Sequence, residues 1–513
     1  MGGCVLPIVS DASAGILEVK KSLRKPMLLC TWQRATDTVT MGKQDINKAL
    51  RNVEALLKED QSASPQMRAM MQLLVTIIHL LAAKLGLDSS NSSTPPSKDP
   101  NRPRGAKNKA KGVKRKAGGQ NGHEGANLKK EEHPDRIETL SIDRRTIPAD
   151  TYVEAGFEAR QVIDMEVVKV VTEFRAEVLE NPRGEQFVAE FPAEVTRPVQ
   201  YGGSVKTQAV YMSQQQLLPY DRVRDYFADQ CGIPISAGSL FNFNQEAFDR
   251  LESFEAIVQR HLMRQELLHA DETGINVNGK LLWLHSVSTD KWTLFFPHAK
   301  RGGDAVKAMG ILEPFRGILC HDHWKPYFQL QCQHALCNAH HLRELEWAWE
   351  QDGQDWALKM QKLLLDMRHD VEKASGSVTE EEAQSFRRRY RAILARADEE
   401  CPPPDPKTNS SRGRLARSKS RNLLERLRDF EVETLRFLTD SRVPFTNNQS
   451  ENDIRMTKVQ QKISGCFRSF EGARIFCRVR SYLSTCNKHG VAPTEALDSL
   501  FSGTLPDFIA SLQ

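Results

Sequence analysis

The chain has no apolar run approaching the roughly 20 residues needed to cross a bilayer. Its opening, MGGCVLPIVSDASAG, lacks the basic start and sustained apolar core of a secretory signal, and Leu6 stands where a myristoylation signal needs Ser or Thr. These absences give a cytoplasmic protein as the expectation. Cysteine is sparse, ten in 513 residues without dense regular spacing, which fits reduced thiols and not a disulfide framework. None lies between residues 131 and 200, so a zinc ribbon in that stretch is excluded on ligand chemistry. Residues 1–41 show weak periodicity and are left as an unassigned extension.

With 40% hydrophobic and 27% charged residues, the chain is long enough for three or four domains. Acid is missing from residues 101–120, NRPRGAKNKAKGVKRKAGGQ, where Arg102, Arg104, Lys107, Lys109, Lys111, Lys114, Arg115 and Lys116 stand together. The whole chain carries only +5, so its basic excess sits in this one tract. Such a tract cannot bury enough apolar surface to fold alone. It is a solubilising linker unless neighbouring segments also point to nucleic acid, in which case it supplies phosphate contacts.

Residues 42–92 carry two helical stripes: Ile46, Leu50, Val53 and Leu57, then Met67, Met71, Leu74, Ile78, Leu81 and Leu85. The second steps four and three alternately, which is a heptad seam suited to self-association or to a helical hairpin. Residues 93–130 form the basic flexible linker. Residues 131–200 alternate apolar and polar residues, with Asn181-Pro182-Arg183-Gly184 as a turn, and predict a small β module. Within 201–255, Asp221 to Gln230 predicts a helix ended by Gly232, and Ser236 caps a second helix carrying Leu240 and Phe243. The spacing matches a helix-turn-helix and equally an ordinary helical pair.

Leu267 to Ala270 predicts a buried strand ending at Asp271. Leu281 to Val287 and Trp292 to Phe296 predict two more, the first entered through an Asn278-Gly279 hairpin turn. Gly303 to Leu312 fits a helix, and Arg316 to Asp322 a fourth strand whose apolar core again stops at an acid. Three antiparallel strands, a helix and a parallel fourth strand make the ribonuclease H arrangement, in which Asp271 and Asp322 are neighbours. Close carboxylates repel unless a cation lies between them, and hard divalent ions suit all-oxygen ligands. Glu451, in the Asn-rich start of a late helix within PFTNNQSENDIR, can supply a third carboxylate. Asp453 is its rival, and Arg455 shares the Glu451 face.

At this point the sequence resembles the DDE transposases of the insertion sequence 66 family. The likeness runs over nearly everything after Met41, through LGLDSSNSSTPPSKDP, GGQNGHEG, LLPYDRVRDYFADQCGIPIS, LLHADETG, GILCHDHWKPYF, CNAHHLRELE and TNNQSENDIR. It implies a metal-dependent DNA transposase with Asp271, Asp322 and Glu451 as catalytic and metal-binding triad, two Mg²⁺ or Mn²⁺ ions per site, and transposon ends and target DNA as partners. It also implies a homo-oligomer, accessory proteins encoded with the element, and a place at the bacterial nucleoid. The fold expected is multidomain α+β: a ribonuclease H-like catalytic domain (256–345 and 441–490) with a helical insertion (346–440) and a tail (491–513), preceded by the helical, β and helix-turn-helix segments. Two departures, the cysteine-free module and Asn452 and Met456 where the family has Arg and Pro, keep open a non-catalytic DNA-binding regulator. A nuclease that cleaves without joining is a third reading.

Cys337-Asn338-Ala339-His340 resembles a Cys-x-x-His element of several transposases. Zinc, with Cys332 and His341 nearby, competes there with a plain helix start, and Cys337 and His340 are carried as auxiliary site residues. Arginines in SFRRRYRAILAR and RGRLARSKSRNLLERLR are a solvated face or DNA contacts. In the late segment SFEGARIFCRVRSYLSTCNKHG, Ile475, Val479 and Leu483 are expected against the sheet, with Arg474 and Arg478 outward.

Overall fold

A computed structural model describes residues 64–85, 128–404 and 417–512. The basic tract, the first helical stripe and the unassigned extension lie outside the described residues. The chain divides into two units, Met1–Ala69 and Met70–Gln513. Of the first, only residues 64–69 are described, at the start of helix α1 (Pro65–Leu85). Among the described residues no helix is long and apolar enough to cross a membrane. In α1, Met67, Met71, Leu74 and Ile78 of the heptad seam are exposed. The segment 131–200 pairs far less than its alternation suggests: β1 (Val178–Glu180) and β2 (Gln186–Val188) make a three-residue antiparallel hairpin. Val168, Val170 and Val171 are exposed, since among the described residues nothing packs against the apolar face of their alternating pattern.

The rest is a mixed α/β structure around a five-stranded sheet. Its strands are β3 (Leu267–Val277), β4 (Lys280–Ser288), β5 (Thr293–His298), β6 (Ile318–His321) and β7 (Gln333–Leu336), in the order β5-β4-β3-β6-β7. The first three are antiparallel neighbours, whereas β6 runs parallel to β3 and β7 parallel to β6. Asn278 and Gly279 both take positive φ, +48° and +79°, as a primed two-residue hairpin turn requires. Strand β3 does not stop at Asp271 but continues six residues further, because β4 pairs with it from His269 through Val277.

Helices cover both faces of the sheet. Leu268, Ala270 and Leu319 join a core with α2 (Gly203–Val210), α3 (Tyr220–Cys231), α4 (Ala237–Arg250), α5 (Glu252–Met263) and α6 (Gly303–Met309). Ile318 and Cys320, on the opposite face, join a second core with α7 (Asn338–Asp352), α8 (Asp355–Lys373), α9 (Glu380–Glu400), α10 (Lys419–Asp429) and α11 (Glu431–Leu435). Local signals govern the helix ends: Gly232 takes φ +61° after α3, and the Ser236 hydroxyl accepts from Ser239 N–H to start α4. Helix α4 turns Leu240, Phe243, Ala247 and Phe248 into the core.

Two late helices return to the sheet, α12 (Asn448–Ser464) and α13 (Phe470–Lys488), followed by α14 (Pro493–Phe501) and α15 (Asp507–Ala510). Ile475, Val479 and Leu483 of α13 are buried as their spacing predicts. Arg478 is not outward. Its guanidinium lies 3.7 Å from the Phe248 ring centroid, pairs with Glu255 and donates to the Phe248 carbonyl at 3.0 Å. The helix spacing places it over α4 and α5, so an aromatic face and an acid draw it in. Arg474, 48% exposed, does face outward.

Candidate active site

Strand register brings Asp271 and Asp322 near one another, although Asp271, Asp322 and Glu451 do not form a group whose ligand atoms all lie within 4.8 Å of one another. The last pair between the parallel strands β3 and β6 is His269 with Cys320, and two further steps along each chain reach Asp271 and Asp322. Residues at matching positions of parallel strands share a face, so both carboxylates lie on the side of Ile318 and Cys320. Burial pushes the Asp271 carboxyl well above the ordinary range, and the charges of Glu272, Asp322 and Glu451 push it further. Against these, one backbone N–H, that of Glu272, donates to Asp271 Oδ1 at 2.8 Å. Asp322 Oδ1 accepts from Trp324 N–H at 3.0 Å. Among the described residues neither Asp271 nor Asp322 forms an ion pair with Lys or Arg.

Glu451 comes from the first turn of α12. Its Oε1 lies 3.7 Å from Cys337 Sγ and 3.7 Å from His340 Nδ1, and its Oε2 lies 3.7 Å from Arg343. Asn447, at the N-terminal boundary of α12, stitches this turn to the sheet: its Nδ2 donates to the Ala270 carbonyl at 2.8 Å, and its backbone N–H donates to Cys337 Sγ at 3.1 Å. Cys337 in turn donates its backbone N–H to His321 O at 3.0 Å, just before Asp322. The first turn of α12, the first turn of α7 and the ends of the strand pair are therefore joined by a continuous set of contacts.

Asp453 is committed elsewhere. Its Oδ2 accepts from Lys488 Nζ at 2.8 Å and from Gln449 Nε2 at 3.2 Å, with both charged side chains about one-tenth exposed. Arg455 is exposed one turn beyond Glu451. The cation beside Glu451 is Arg343, a residue that sequence reasoning missed although it falls one helical turn after His340 in CNAHHLRELE. Cys337 and His340 flank Glu451, whereas His341 is buried with its Nδ1–H on Asn338 Oδ1 at 3.0 Å. Cys332 is not part of the Cys337, His340 and Glu451 group.

Glu272 was also missed. It projects to the opposite face from Asp271, where Arg301 donates from Nε at 2.9 Å and Tyr327 from its hydroxyl at 2.8 Å. The Arg301 guanidinium sits 4.9 Å from the ring centroids of both Trp283 and Trp324. Glu272 is thus neutralised and fixed, and it steadies the segment after Asp322 through Tyr327. The arginines of the helical insertion are largely engaged within it: Arg421 bridges Asp398 at 2.6 Å and Glu425 at 2.9 Å, Arg428 pairs with Asp398 at 2.6 Å, and Arg391 with Glu431 at 2.9 Å.

Residues 198–475, more than half the chain and the span holding all three acids, match the model of the family described as Transposase IS66 family. The chain belongs to the IS66 family of transposases. Residues 42–129 match a separate family of unknown function (DUF6444). No curated protein matches the chain significantly.

Proposed function

We propose that the protein is a DNA transposase that cuts at insertion-sequence ends and joins them to target DNA, with Asp271, Asp322 and Glu451 as its catalytic carboxylates. The observation that carries this reading is the register of β3 and β6, which sets two acids side by side with a third close enough to raise the Asp271 pKa. The strand order β5-β4-β3-β6-β7 supports a ribonuclease H-like catalytic domain interrupted by the helices between β7 and α12.

The donor set fits hard divalent cations. Three carboxylates offer only oxygen, and a recessed Asp271 surrounded by like charge is stabilised as an anion when a cation is shared among them. Asp271, Asp322 and Glu451 would hold Mg²⁺ or Mn²⁺. When bound, a pair of such ions activates the attacking oxygen and stabilises the leaving oxygen of a phosphodiester. The chain's own contribution is placement. Asn447 fixes the height of α12 against Ala270, and contacts of 3.7 Å rather than tight hydrogen bonds leave Glu451 free to turn toward the aspartates. Arg343, 30% exposed beside Glu451, is suited to hold a phosphate oxygen. Hydrolysis frees a 3′-hydroxyl, and that hydroxyl then attacks a target phosphodiester and displaces the target strand's own 3′-oxygen, which changes the nucleophile without changing the acids.

Duplex DNA contacts are assigned to the basic tract from Arg102 to Lys116 and to exposed Arg455. The α3–α4 pair is a weaker candidate for reading DNA. Its second helix buries Leu240, Phe243, Asn244, Ala247 and Phe248 and exposes Phe241 and Asn242, and the Arg250 at its end already pairs with Glu246 at 2.9 Å. Exposed Met67, Met71, Leu74 and Ile78 support a homo-oligomer through α1, tested by hydrodynamic size after deletion of residues 42–87.

The decisive experiment uses a duplex bearing element ends. Asp271→Asn, Asp322→Asn and Glu451→Gln should each abolish Mg²⁺-dependent cleavage while end binding persists. Strand transfer retained by Asp271→Asn would refute the assignment. End binding without metal-dependent cleavage by the natural chain would make it a regulator, and cleavage without joining a nuclease.

A further inference from the structure

Cys337, His340 and Glu451 each turn one ligand atom toward a common point, and the three atoms lie within 4.8 Å of one another. Sγ and Nδ1 are each 3.7 Å from Glu451 Oε1. In a tetrahedral site with bonds of about 2.0–2.3 Å, neighbouring ligand atoms stand about 3.3–3.6 Å apart, so the two spacings to Glu451 need only a small contraction, with the third within 4.8 Å. Helix geometry accounts for the cluster. Cys337 caps α7 and His340 lies three residues on, which puts both on one face, while Glu451 approaches from the first turn of α12.

A second feature points to a ligand. His340 Nδ1 is sealed from solvent yet makes no hydrogen bond. Buried polar nitrogens without partners are rare and costly, and this one faces a thiol and a carboxylate. One contact already suits a metal-bound thiolate: the Asn447 backbone N–H donates to Cys337 Sγ at 3.1 Å. A thiol, an imidazole and a carboxylate together are a donor set for zinc-type ions, whereas magnesium takes oxygen.

We propose that Cys337, His340 and Glu451 form a separate cation site, selective for zinc-type ions over magnesium, with its fourth position left to water. Glu451 is the shared member. An ion held here keeps that carboxylate from Asp271 and Asp322, so the site acts as a brake on the acid cluster. The braking consequence rests on the proposed catalytic role of Glu451; the existence of the site does not.

The test uses reduced, metal-stripped full-length protein titrated with Co²⁺, read by the near-ultraviolet charge-transfer absorption of a cobalt–thiolate bond. A saturable band is expected that survives excess Mg²⁺ and the Asp271→Asn change, disappears in Cys337→Ser and weakens in His340→Ala. No band, or a band undiminished in Cys337→Ser, overturns the proposal by placing the metal nowhere or on another of the ten cysteines. If Cys337→Ser does not fold, His340→Ala decides, because His340 is 29% exposed and tolerates truncation; a band of full strength there counts against the site. Zn²⁺ added to a Mg²⁺-supported cleavage reaction should inhibit in step with occupancy. Occupancy without inhibition overturns the brake and removes Glu451 from catalysis, while the site itself stands.

Discussion

Asn447 Oδ1 lies 2.7 Å from His269 Nδ1. The amide oxygen can only accept, so Nδ1 carries the proton, and burial holds His269 below its ordinary pKa in this neutral form. Through this bond and the one to the Ala270 carbonyl, Asn447 sets where α12 meets β3, and thereby how far Glu451 stands from Asp271. Asn447→Ala leaves both partners unsatisfied at a cost of about 1–3 kcal/mol for each buried group. Urea unfolding should report that loss. Because the residue is buried and positions Glu451, kcat for cleavage should fall with KM for DNA ends little changed. An unaltered kcat would show that the contact serves stability alone.

Asp271 is held above the ordinary carboxyl range in the folded state. A raised folded pKa means stability that is full below the unfolded value near 3.8 and is lost as pH rises through the folded pKa. Ionisation of this carboxyl in the folded chain is therefore a liability that a bound cation relieves. Metal-free Asp271→Asn should melt higher than the natural chain at pH 7, by about one to a few degrees. Saturating Mg²⁺ should raise the melting temperature of the natural chain, by an amount corresponding to about 2.7 kcal/mol at a hundredfold excess over Kd, and should do so far less for the variant. Equal shifts in both would place the cation away from Asp271.

Four of the five strands are legible in the sequence because each carries its own local signal. The Asn278-Gly279 turn, the buried runs and the acid after Cys320 all act within a few residues. What failed was whatever depended on partners distant in sequence. Strand β3 runs past Asp271 because of pairing with β4, and Arg478 turns inward because Phe248 and Glu255, more than two hundred residues away, receive it. Strand β7 was missed since His334 to Leu336 is too short to show a period. The alternating pattern of 131–200 predicted strands, but alternation specifies a buried face only where another surface covers it. In the candidate site the acids were named from the sequence, whereas Asn447, Arg343 and Glu272 are recognisable only from the contacts they make.

Besides His269, full or partial burial holds further histidines in their neutral forms. Burial pushes His321 and His341 down to about 3, and His285 and His323 to about 4. Below pH 6.5 the unfolded chain gains a proton at each that the folded chain refuses until its own lower pKa, so stability falls as pH drops through this window. At pH 5 the fully enclosed His321 and His341 each cost about 2 kcal/mol relative to pH 7, and the more accessible His323 less. Denaturant midpoints should therefore decline steadily from pH 6.5 to 4. His341→Gln removes one titrating group while keeping a neutral donor toward Asn338, and it should flatten the decline by about one proton's share. A profile identical to the natural chain's would mean that His341 is accessible in solution.

Two arginines four residues apart on α13 should behave oppositely when truncated. Arg474 is about half exposed and pairs with Glu471 at 3.1 Å within its own helix, so Arg474→Ala should change stability by no more than about 0.5 kcal/mol. Arg478 is 14% exposed, and Glu255 faces it at 21%. Removing the guanidinium leaves that acid partly buried without its cation, strips the donor from the Phe248 carbonyl and uncovers the Phe248 ring. A cost of about 3 kcal/mol follows for Arg478→Ala. Arg478→Met with Glu255→Leu removes both charges and keeps the volume, and it should recover most of that loss, since an apolar pair avoids the desolvation an ion pair must overcome. Measured by urea unfolding, failure of the double variant to recover would show that the bond to the Phe248 carbonyl, rather than the unpaired acid, sets the cost.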